Sequence, residues 1–99
     1  QATFEYTVAV VTGNNTAGTN ITGAGGTPNL DAQLSDYSAV SDANFAKYVW
    51  IFYNGRKERG GPNLAAGHDV YPGDSKANGD LKFTHTVKDG DQIQMIYWD

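Results

Sequence analysis

The last strand-forming segment of the chain limits its fold more than any other stretch. In residues 92–98, QIQMIYW, alternation with a period of two makes one strand face apolar throughout: Ile93, Met95 and Tyr97. The other face begins with glutamines and ends with Ile96 and Trp98. A chain of 99 residues has one modest core, which can cover only one of these faces. We therefore expect another protein subunit to cover Ile96 and Trp98.

Alternating apolar residues and turn signals predict a mostly β fold. Residues 4–12 alternate and are rich in β-branched side chains, which favour a strand. Residues 48–53, YVWIFY, are apolar on both faces and stop at an Asn-Gly step, which indicates a central strand. Residues 81–87 alternate again, and the Asp89-Gly90 step after them predicts a hairpin with the final strand.

The remaining residues predict long loops and little helix. Residues 13–28 are rich in Gly, Asn and Thr, so we expect an exposed loop with at most a short strand around Ile21. Residues 56–80 form a second outward-facing region that contains one short strand. A short helix within 29–45 is an open alternative, because Ser and Asp oppose it while these apolar residues follow a three-to-four spacing: Leu30, Leu34, Tyr37 and Val40. We predict a single antiparallel β-sandwich or partly open barrel over residues 1–99, with long loops and at most one short helix.

Composition excludes several classes of partner. Eleven acidic residues against seven Lys and Arg give a net charge of −4, which disfavours a phosphate backbone, so no nucleic acid is expected. The absence of cysteine removes disulfides, thiol nucleophiles and thiolate metal sites. The longest apolar runs, VAVV and YVWIFY, have strand lengths and fall well below the roughly 20 residues of a membrane helix, so we expect no membrane partner.

The sequence offers few groups for catalysis, and we predict that the protein is not an enzyme and uses no cofactor. The only histidines are His68 and His85. His85 shares its strand face with Leu81 and Phe83, as a partly buried core or interface residue would. His68 and Asp69 could pair as a base and its orienting acid. However, adjacent residues usually point apart, and no serine follows in a strand-to-helix turn of the GxSxG kind.

A cluster of acids in one loop raises the question of a metal. Asp69, Asp74 and Asp80 lie near Ser75 and Asn78, and oxygen ligands of this type suit calcium. Their spacing does not fit the twelve-residue calcium loop, which needs ligands at alternate positions and a final glutamate. We therefore interpret them as solvated loop acids and predict no metal site.

Two asparagines, Asn14 and Asn20, begin triplets that match the acceptor pattern for N-glycosylation. Such triplets are common by chance in loops rich in Asn and Thr, so the pattern leaves open whether either residue is modified.

Basic and aromatic residues form the predicted interface. Arg56, Lys57 and Arg59 make a small basic cluster that could dock on an acidic neighbour, although a solvated turn also explains it. The rings in residues 48–53 and 97–98 are more than the core-facing stripes of so small a sandwich can hide, and Tyr and Trp are enriched in interface cores. The predicted interface residues are Trp50, Arg56, Lys57, Arg59, Ile96 and Trp98.

From Val49 onward the order of segments resembles one protein family. VWIFYNGRKERGG, GHDVYPGDS and DLKFTHTVKDGDQIQMIYW follow the strand, Asn-Gly turn, Asp-Tyr-like step, Phe strand, Gly-Asp turn and final strand of β-sandwich modules in bacteriophage virion proteins, especially tail, fibre and capsid-associated proteins. The resemblance covers about half the chain, and it departs from the family at PGDSKANG and in the extra residues of HDVY. It implies a structural subunit, such as a capsid decoration or tail-associated protein, that acts through protein contacts without a cofactor.

Two further resemblances imply different roles. The patterns W-x-F-x-N-G and D-G-D-x-I are similar to those of extracellular β-grasp domains of the transcobalamin C-terminal type, which bind small ligands or carbohydrate. A pocket in such a module would be lined by Trp50, Tyr71 and Trp98. The segment YTVAVVTGNNTAGTN resembles the opening of PLAT/LH2 sandwiches, which bind membranes or proteins, but the later strands do not follow that family.

Together these patterns predict a non-enzymatic structural subunit of an extracellular assembly, with a phage virion as the leading candidate. Its partners would be protein subunits of the same assembly, including further copies of itself in a homo-oligomer. The alternative is a secreted β domain that binds a small ligand or carbohydrate.

Overall fold

The computed structural model describes residues 3–65 and 68–99, and it confirms a mostly β fold with two antiparallel sheets and one short helix. The strands are β1 Phe4–Val10, β2 Val49–Tyr53, β3 Arg56–Lys57, β4 Val70–Pro72, β5 Leu81–Phe83 and β6 Gln92–Trp98. A 3-10 turn, Asp42–Asn44, leads directly into the helix α1, Phe45–Tyr48, and a second 3-10 turn, Lys76–Asn78, precedes β5. None of the helices in the described part of the chain has the length and apolar character needed to span a membrane.

The terminal strand β6 lies inside the larger sheet, whose strand order is β1-β6-β2-β3. One edge of β6 is antiparallel to β1 over the whole length of both strands, beginning with Phe4 opposite Trp98. The other edge is antiparallel to β2, where Ile51 lies opposite Met95. Both edges of β6 are therefore paired, and the segment with two apolar faces holds this sheet together.

The strand β2 is internal, as its two apolar faces predicted, because it lies between β6 and β3. It ends in a tight turn in which Asn54 has a φ of 51° and Gly55 a φ of 83°. A two-residue hairpin turn of this kind requires positive φ at both central residues, and Asn-Gly meets that requirement with little strain. Tyr53 consequently lies opposite Arg56 in the β2–β3 hairpin.

The predicted hairpin between residues 81–87 and the final strand is wrong. A turn does form before β6, where the Asp91 N–H donates to the Lys88 carbonyl over 3.1 Å and Gly90 has a φ of 85°. However, β5 pairs with β4 in a separate two-stranded sheet and ends at Phe83. Since β1 and β2 occupy both edges of β6, no edge remains for β5.

Residues 13–28 were predicted to be an exposed loop with at most a short strand around Ile21, and at that residue the segment does enter the core. Ile21 is buried and forms a β-bridge with Leu81, in which the two N–H···O bonds measure 2.7 and 3.0 Å. This segment therefore lies along the edge of β5 that β4 leaves unpaired. Residues 56–80 were also expected to reach outward, but their buried side chains include Glu58, Val70, Tyr71 and Asp80.

The segment 29–41 buries its apolar residues without forming a helix. The four side chains with helical spacing are all at most 4% exposed: Leu30, Leu34, Tyr37 and Val40. The Asp31 N–H donates to the Val10 carbonyl over 3.0 Å, and the Tyr37 N–H donates to the Lys76 carbonyl over 3.1 Å. Because the Tyr37 bond uses a donor that a helix over this segment would use internally, helical structure is confined to the residues that follow.

One hydrophobic core joins the two sheets. It takes buried side chains from the inner faces of both, among them Ile51, Ile93 and Met95 of the larger sheet and Val70, Leu81 and Phe83 of the smaller sheet. Tyr37 and Phe45 belong to the same cluster, and their ring centroids lie 5.5 Å apart. The core therefore uses only one face of the larger sheet, and the opposite face lies outside it.

Replacing Tyr37 with Phe should lower the free energy of unfolding by about 1–2 kcal/mol, because a buried hydrogen-bonding group is lost. The Tyr37 hydroxyl donates to the Asp80 carbonyl and accepts from the Gly73 N–H over 3.3 Å. Urea denaturation followed by circular dichroism measures the change. Tyr6→Phe is the matched control, because Tyr6 is 53% exposed, and it should change stability by less than about 0.5 kcal/mol. Equal losses in both variants would contradict a special role for the buried hydroxyl.

Candidate protein-binding face

The face of the larger sheet that points away from the core is mostly apolar. Alternation along β1, β6 and β2, together with the register between them, places eight side chains next to one another on this face. These residues, called the outer face below, are Phe4, Tyr6, Val8, Trp50, Phe52, Gln94, Ile96 and Trp98. The outer face is thus built from three neighbouring strands with β6 in the middle.

The strand β1 turns its more apolar side toward solvent. Phe4 is 64% exposed and Tyr6 is 53% exposed, whereas the small Ala9 supplies the buried inner side. A strand that is solvated on one side ordinarily points its larger apolar residues inward. With the partly exposed rings of β2 and β6, the outer face has an apolar area on the order of 500 Å², which is at the upper end for a monomeric protein.

Aromatic rings at one end of the outer face hold one another in position. Trp98 packs edge-on against Trp50, with centroids 4.9 Å apart and planes at 78°, and against Tyr48, at 6.5 Å and 79°. The Lys57 Nζ lies 5.1 Å from the centroid of the Trp50 ring. Each such contact contributes about 0.5–1.5 kcal/mol beyond simple burial, so these side chains have defined orientations without a partner.

Two open depressions lie on the outer face, and Ile96 contributes to both. The first has a volume of about 310 Å³ and is lined by Phe4, Trp50, Ile96 and Trp98. The second also measures about 310 Å³ and is lined by Tyr6, Phe52, Gly55, Gln94 and Ile96. Small-molecule sites usually enclose most of their ligand, whereas shallow apolar depressions suit side chains that project from another protein surface.

The structure brings together four of the six predicted interface residues: Trp50, Lys57, Ile96 and Trp98. Arg56 lies opposite Tyr53, whose ring contacts the core residue Phe83, so Arg56 belongs to the other side of the hairpin. Arg59 forms an exposed ion pair with Asp69 over 3.5 Å. The basic cluster is therefore split, and only Lys57 adjoins the outer face.

Sequence reasoning missed the β1 residues Phe4, Tyr6 and Val8 as part of the candidate site. Their alternation was visible, but it does not indicate which side of a strand faces inward. The inner side is set by Ala9 and Val11, which are 2% and 1% exposed. Small inner residues allow the strand to pack closely over the core, and the larger side chains are then left outside.

The pocket predicted for a ligand-binding module does not form. Tyr71 lies on β4 in the smaller sheet and is only 9% exposed, while Trp50 and Trp98 lie on the outer face of the larger sheet. A ligand that contacts both tryptophans would rest on the outer face, next to Phe4 and Ile96.

The acids of the loop do not converge on a metal. Asp69 and Asp74 each pair with a basic side chain. Asp80 is 3% exposed, so its interpretation as a solvated acid is wrong. Its Oδ2 accepts from the Asn20 amide over 2.9 Å, which ties two loops together. Among residues 3–65 and 68–99, no group of three His, Asp or Glu side chains is placed to hold a metal ion.

A histidine and a buried acid form the most distinctive polar pair away from the outer face. The Glu58 carboxylate is 4% exposed and contacts Nε2 of His85, while Nδ1 of His85 lies 2.9 Å from the Thr86 carbonyl. Both ring nitrogens of His85 therefore lie against oxygen atoms of the protein. The His85 side chain is 34% exposed and packs on Tyr53 and Phe83, as expected for a partly buried histidine. This pair links the end of the β2–β3 hairpin to the segment after β5.

Tyr53 connects the same region to the turn before β6. Its hydroxyl donates to the Asp91 carboxylate and accepts from the Lys88 N–H over 3.2 Å. Burial, together with the bond to Asp91, raises the pKa of Tyr53 to about 12. The same bond from Tyr53 lowers the pKa of Asp91, so the folded chain favours the ionised carboxylate.

Comparison with known proteins found no relative. A scan against protein-family models, a search of curated proteins and a search of solved structures each returned no match.

Asp91→Asn should reduce the loss of stability in acid. The pKa of Asp91 is lowered on folding, so its carboxylate stabilises the fold above the unfolded value of about 3.9, and this contribution is lost as the pH falls through the folded pKa. The free energy of unfolding, measured by urea titration at pH 7 and pH 3, should differ less in the variant than in the native chain. Tyr53→Phe, which keeps the carboxylate but removes its main bond, should also reduce the difference. An unchanged difference in Asp91→Asn would refute the assignment.

Proposed function

We propose that this protein is a non-enzymatic structural subunit of an extracellular assembly and that its outer face binds another protein subunit. The exposure of the outer face is the observation that carries the proposal. The core is already filled from the inner faces of both sheets, so the chain has no further element to lay over Ile96 and Trp98 in the part that the structure describes. Covering this apolar surface in an assembly is favourable by the hydrophobic effect.

The chemistry of the outer face suits a protein partner. Trp and Tyr are enriched at the centres of protein interfaces, where they fill pockets or receive side chains, and polar residues surround them. Here Trp50 and Trp98 flank one depression, while Gln94 and Lys57 provide hydrogen-bonding and charged groups beside them. Because the two tryptophan planes are 78° apart, they form the walls of a recess more than a flat platform.

A phage particle is the specific assembly that we propose. The resemblance of residues 49–98 to β-sandwich modules of virion proteins supports this assignment, with a role in capsid decoration or the tail. A decoration or tail subunit works by repeated contacts with its neighbours, and an exposed apolar face with ordered rings is suited to such contacts. The net charge of −4 is compatible with a protein partner and disfavours nucleic acid.

Trp98→Ala should weaken assembly through the outer face while the chain stays folded. Trp98 contacts Tyr48 and Trp50 on the outer face and lies outside the buried core, so its loss removes partner contacts more than core packing. Light scattering coupled to size exclusion measures the assembly state, and far-UV circular dichroism with thermal melting measures the fold. Loss of a tryptophan that contacts the partner should weaken association at least roughly thirtyfold.

Leu64→Ala provides the matched control for this experiment. Leu64 is 64% exposed but does not belong to the outer face, so its replacement should leave assembly unchanged. Trp50→Ala is the second test variant and should weaken association like Trp98→Ala. A native chain that stays monomeric at high concentration, with both tryptophans freely quenched by acrylamide, would overturn the proposal.

A carbohydrate-binding role is the second candidate, because the depression between Trp50 and Trp98 offers exposed aromatic surface on which a sugar could rest. That role requires a monomer whose tryptophan fluorescence changes in a saturable way when oligosaccharides are added. Two measurements therefore distinguish the roles: the mass of the protein in solution and the response of its tryptophan fluorescence to sugars.

A further inference from the structure

The strand β1 forms one edge of the larger sheet, and its backbone has a defined polarity. The Val11 N–H donates to the Asp91 carbonyl over 2.8 Å, and the Asp99 N–H donates to the Thr3 carbonyl over 3.3 Å. Residues of β1 with odd numbers therefore bond to β6. In an antiparallel ladder the alternate residues point the other way, so those with even numbers face the outside edge.

Among the residues that the structure describes, the open part of this edge covers Phe4, Tyr6 and Val8. The edge is closed at Val10, whose N–H donates to Asp31 Oδ1 over 2.8 Å and whose carbonyl accepts from the Asp31 N–H over 3.0 Å. Within residues 3–65 and 68–99, no hydrogen bond reaches the outward N–H or carbonyl groups of the three open residues. Such a row of free groups is a template for another strand.

The usual protections of an edge strand are missing from this one. Natural edges are blunted by prolines, bulges or charged side chains, but the three open residues are apolar and 64%, 53% and 37% exposed. The only charged residue of β1, Glu5, belongs to the opposite side of the strand, where it lies opposite Tyr97. Backbone and side chains of β1 therefore both favour a partner strand.

We infer that this edge pairs with β1 of a second copy of the same chain, antiparallel and about a two-fold axis at Tyr6. This register places Tyr6 opposite Tyr6 of the second copy and Phe4 opposite its Val8. All three pairs are of the hydrogen-bonded type, so every open group of both edges finds a partner. Glu5 lies opposite Thr7 of the second copy, and no like charges are directly opposed.

The symmetry of the open edge is the reason to choose a second copy as the partner. Three free residues centred on Tyr6 match themselves when reversed, and the closure at Val10 limits the ladder to that length. A two-fold axis perpendicular to the sheet also keeps both outer faces on the same side. The joined sheet would present on the order of 1,000 Å² of apolar surface, which reaches the size of one side of a standard interface.

This inference rests on the proposed structural role, since it names the first partner in the assembly. It also explains how the outer face of one small chain could become part of an apolar surface large enough for a stable interface. The edge and the outer face are nevertheless separate surfaces. Substitutions that alter the backbone hydrogen bonding of β1 test the edge, and substitutions of Trp98 test the outer face.

Single-cysteine cross-linking tests the register directly, because the native chain has no cysteine. Cα atoms of a hydrogen-bonded antiparallel pair lie roughly 5.5 Å apart, within reach of a disulfide, whereas Val8 lies roughly 14 Å from Val8 of the second copy. Under mild oxidation Tyr6→Cys should form a covalent dimer, and Phe4→Cys or Val8→Cys alone should not. A mixture of the last two variants should form a mixed dimer.

Tyr6→Pro and Tyr6→Val form a second, matched pair of variants. Both lose the ring, but only proline removes the outward N–H, which has no bond to any other residue that the structure describes. Sedimentation equilibrium should show a dimer dissociation constant at least roughly tenfold higher for Tyr6→Pro than for Tyr6→Val. Equal constants, or equal cross-linking at positions 4, 6 and 8, would overturn the inference. If assembly then still depended on Trp98, the proposed function would stand, whereas a native chain that never associates would overturn both.

Discussion

The rest of the structure depends on one constraint, the hydrogen bonding of β6 to a neighbouring strand on each of its two edges. β6 bonds to β1 on one edge and to β2 on the other, so a segment at the end of the chain becomes the middle of the larger sheet. Such a strand requires apolar residues on the inner face, which Ile93, Met95 and Tyr97 supply. Its outer face then takes part in a broad surface that residues 3–65 and 68–99 leave uncovered.

The opposite side of the sandwich is assembled with much less regular structure. β4 and β5 supply only three residues each, and the segment around Ile21 extends their sheet by single bridges. Hydrogen bonds between distant residues replace regular ladders there, such as the pair between Asn20 and Asp80. This arrangement accommodates many Gly, Asn and Thr residues, because each long-range bond holds a loop without requiring a repeated pattern.

Local patterns predicted the strands more reliably than their partners. The strand over 48–53 and its Asn-Gly turn are present, because turn chemistry and two-sided hydrophobicity are properties of neighbouring residues. The predicted hairpin between residues 81–87 and β6 was wrong, because the pairing of one strand depends on every other strand that can bond to the same edge. The spacing in 29–45 identified the buried residues but not their backbone conformation, since tertiary hydrogen bonds outweighed weak helix propensity. Likewise, the tryptophans of the outer face were found, while Phe4 and Tyr6 required knowledge of which side of β1 faces inward.

The orientation of β1 affects the stability of the isolated chain and, in the proposed assembly, would link that stability to association. Its large side chains point outward, so within one chain this strand is stabilised mainly by its ladder to β6 and by the small residues Ala9 and Val11. Because Phe4 and Tyr6 are exposed, the isolated chain lacks the hydrophobic stabilisation that burying these two side chains would provide. Any partner that binds the folded state, at the edge or on the outer face, restores it and shifts the equilibrium toward folding in proportion to its affinity. In the proposed assembly, association and folding would therefore be coupled through β1, and the exposed apolar residues of this strand would contribute to both.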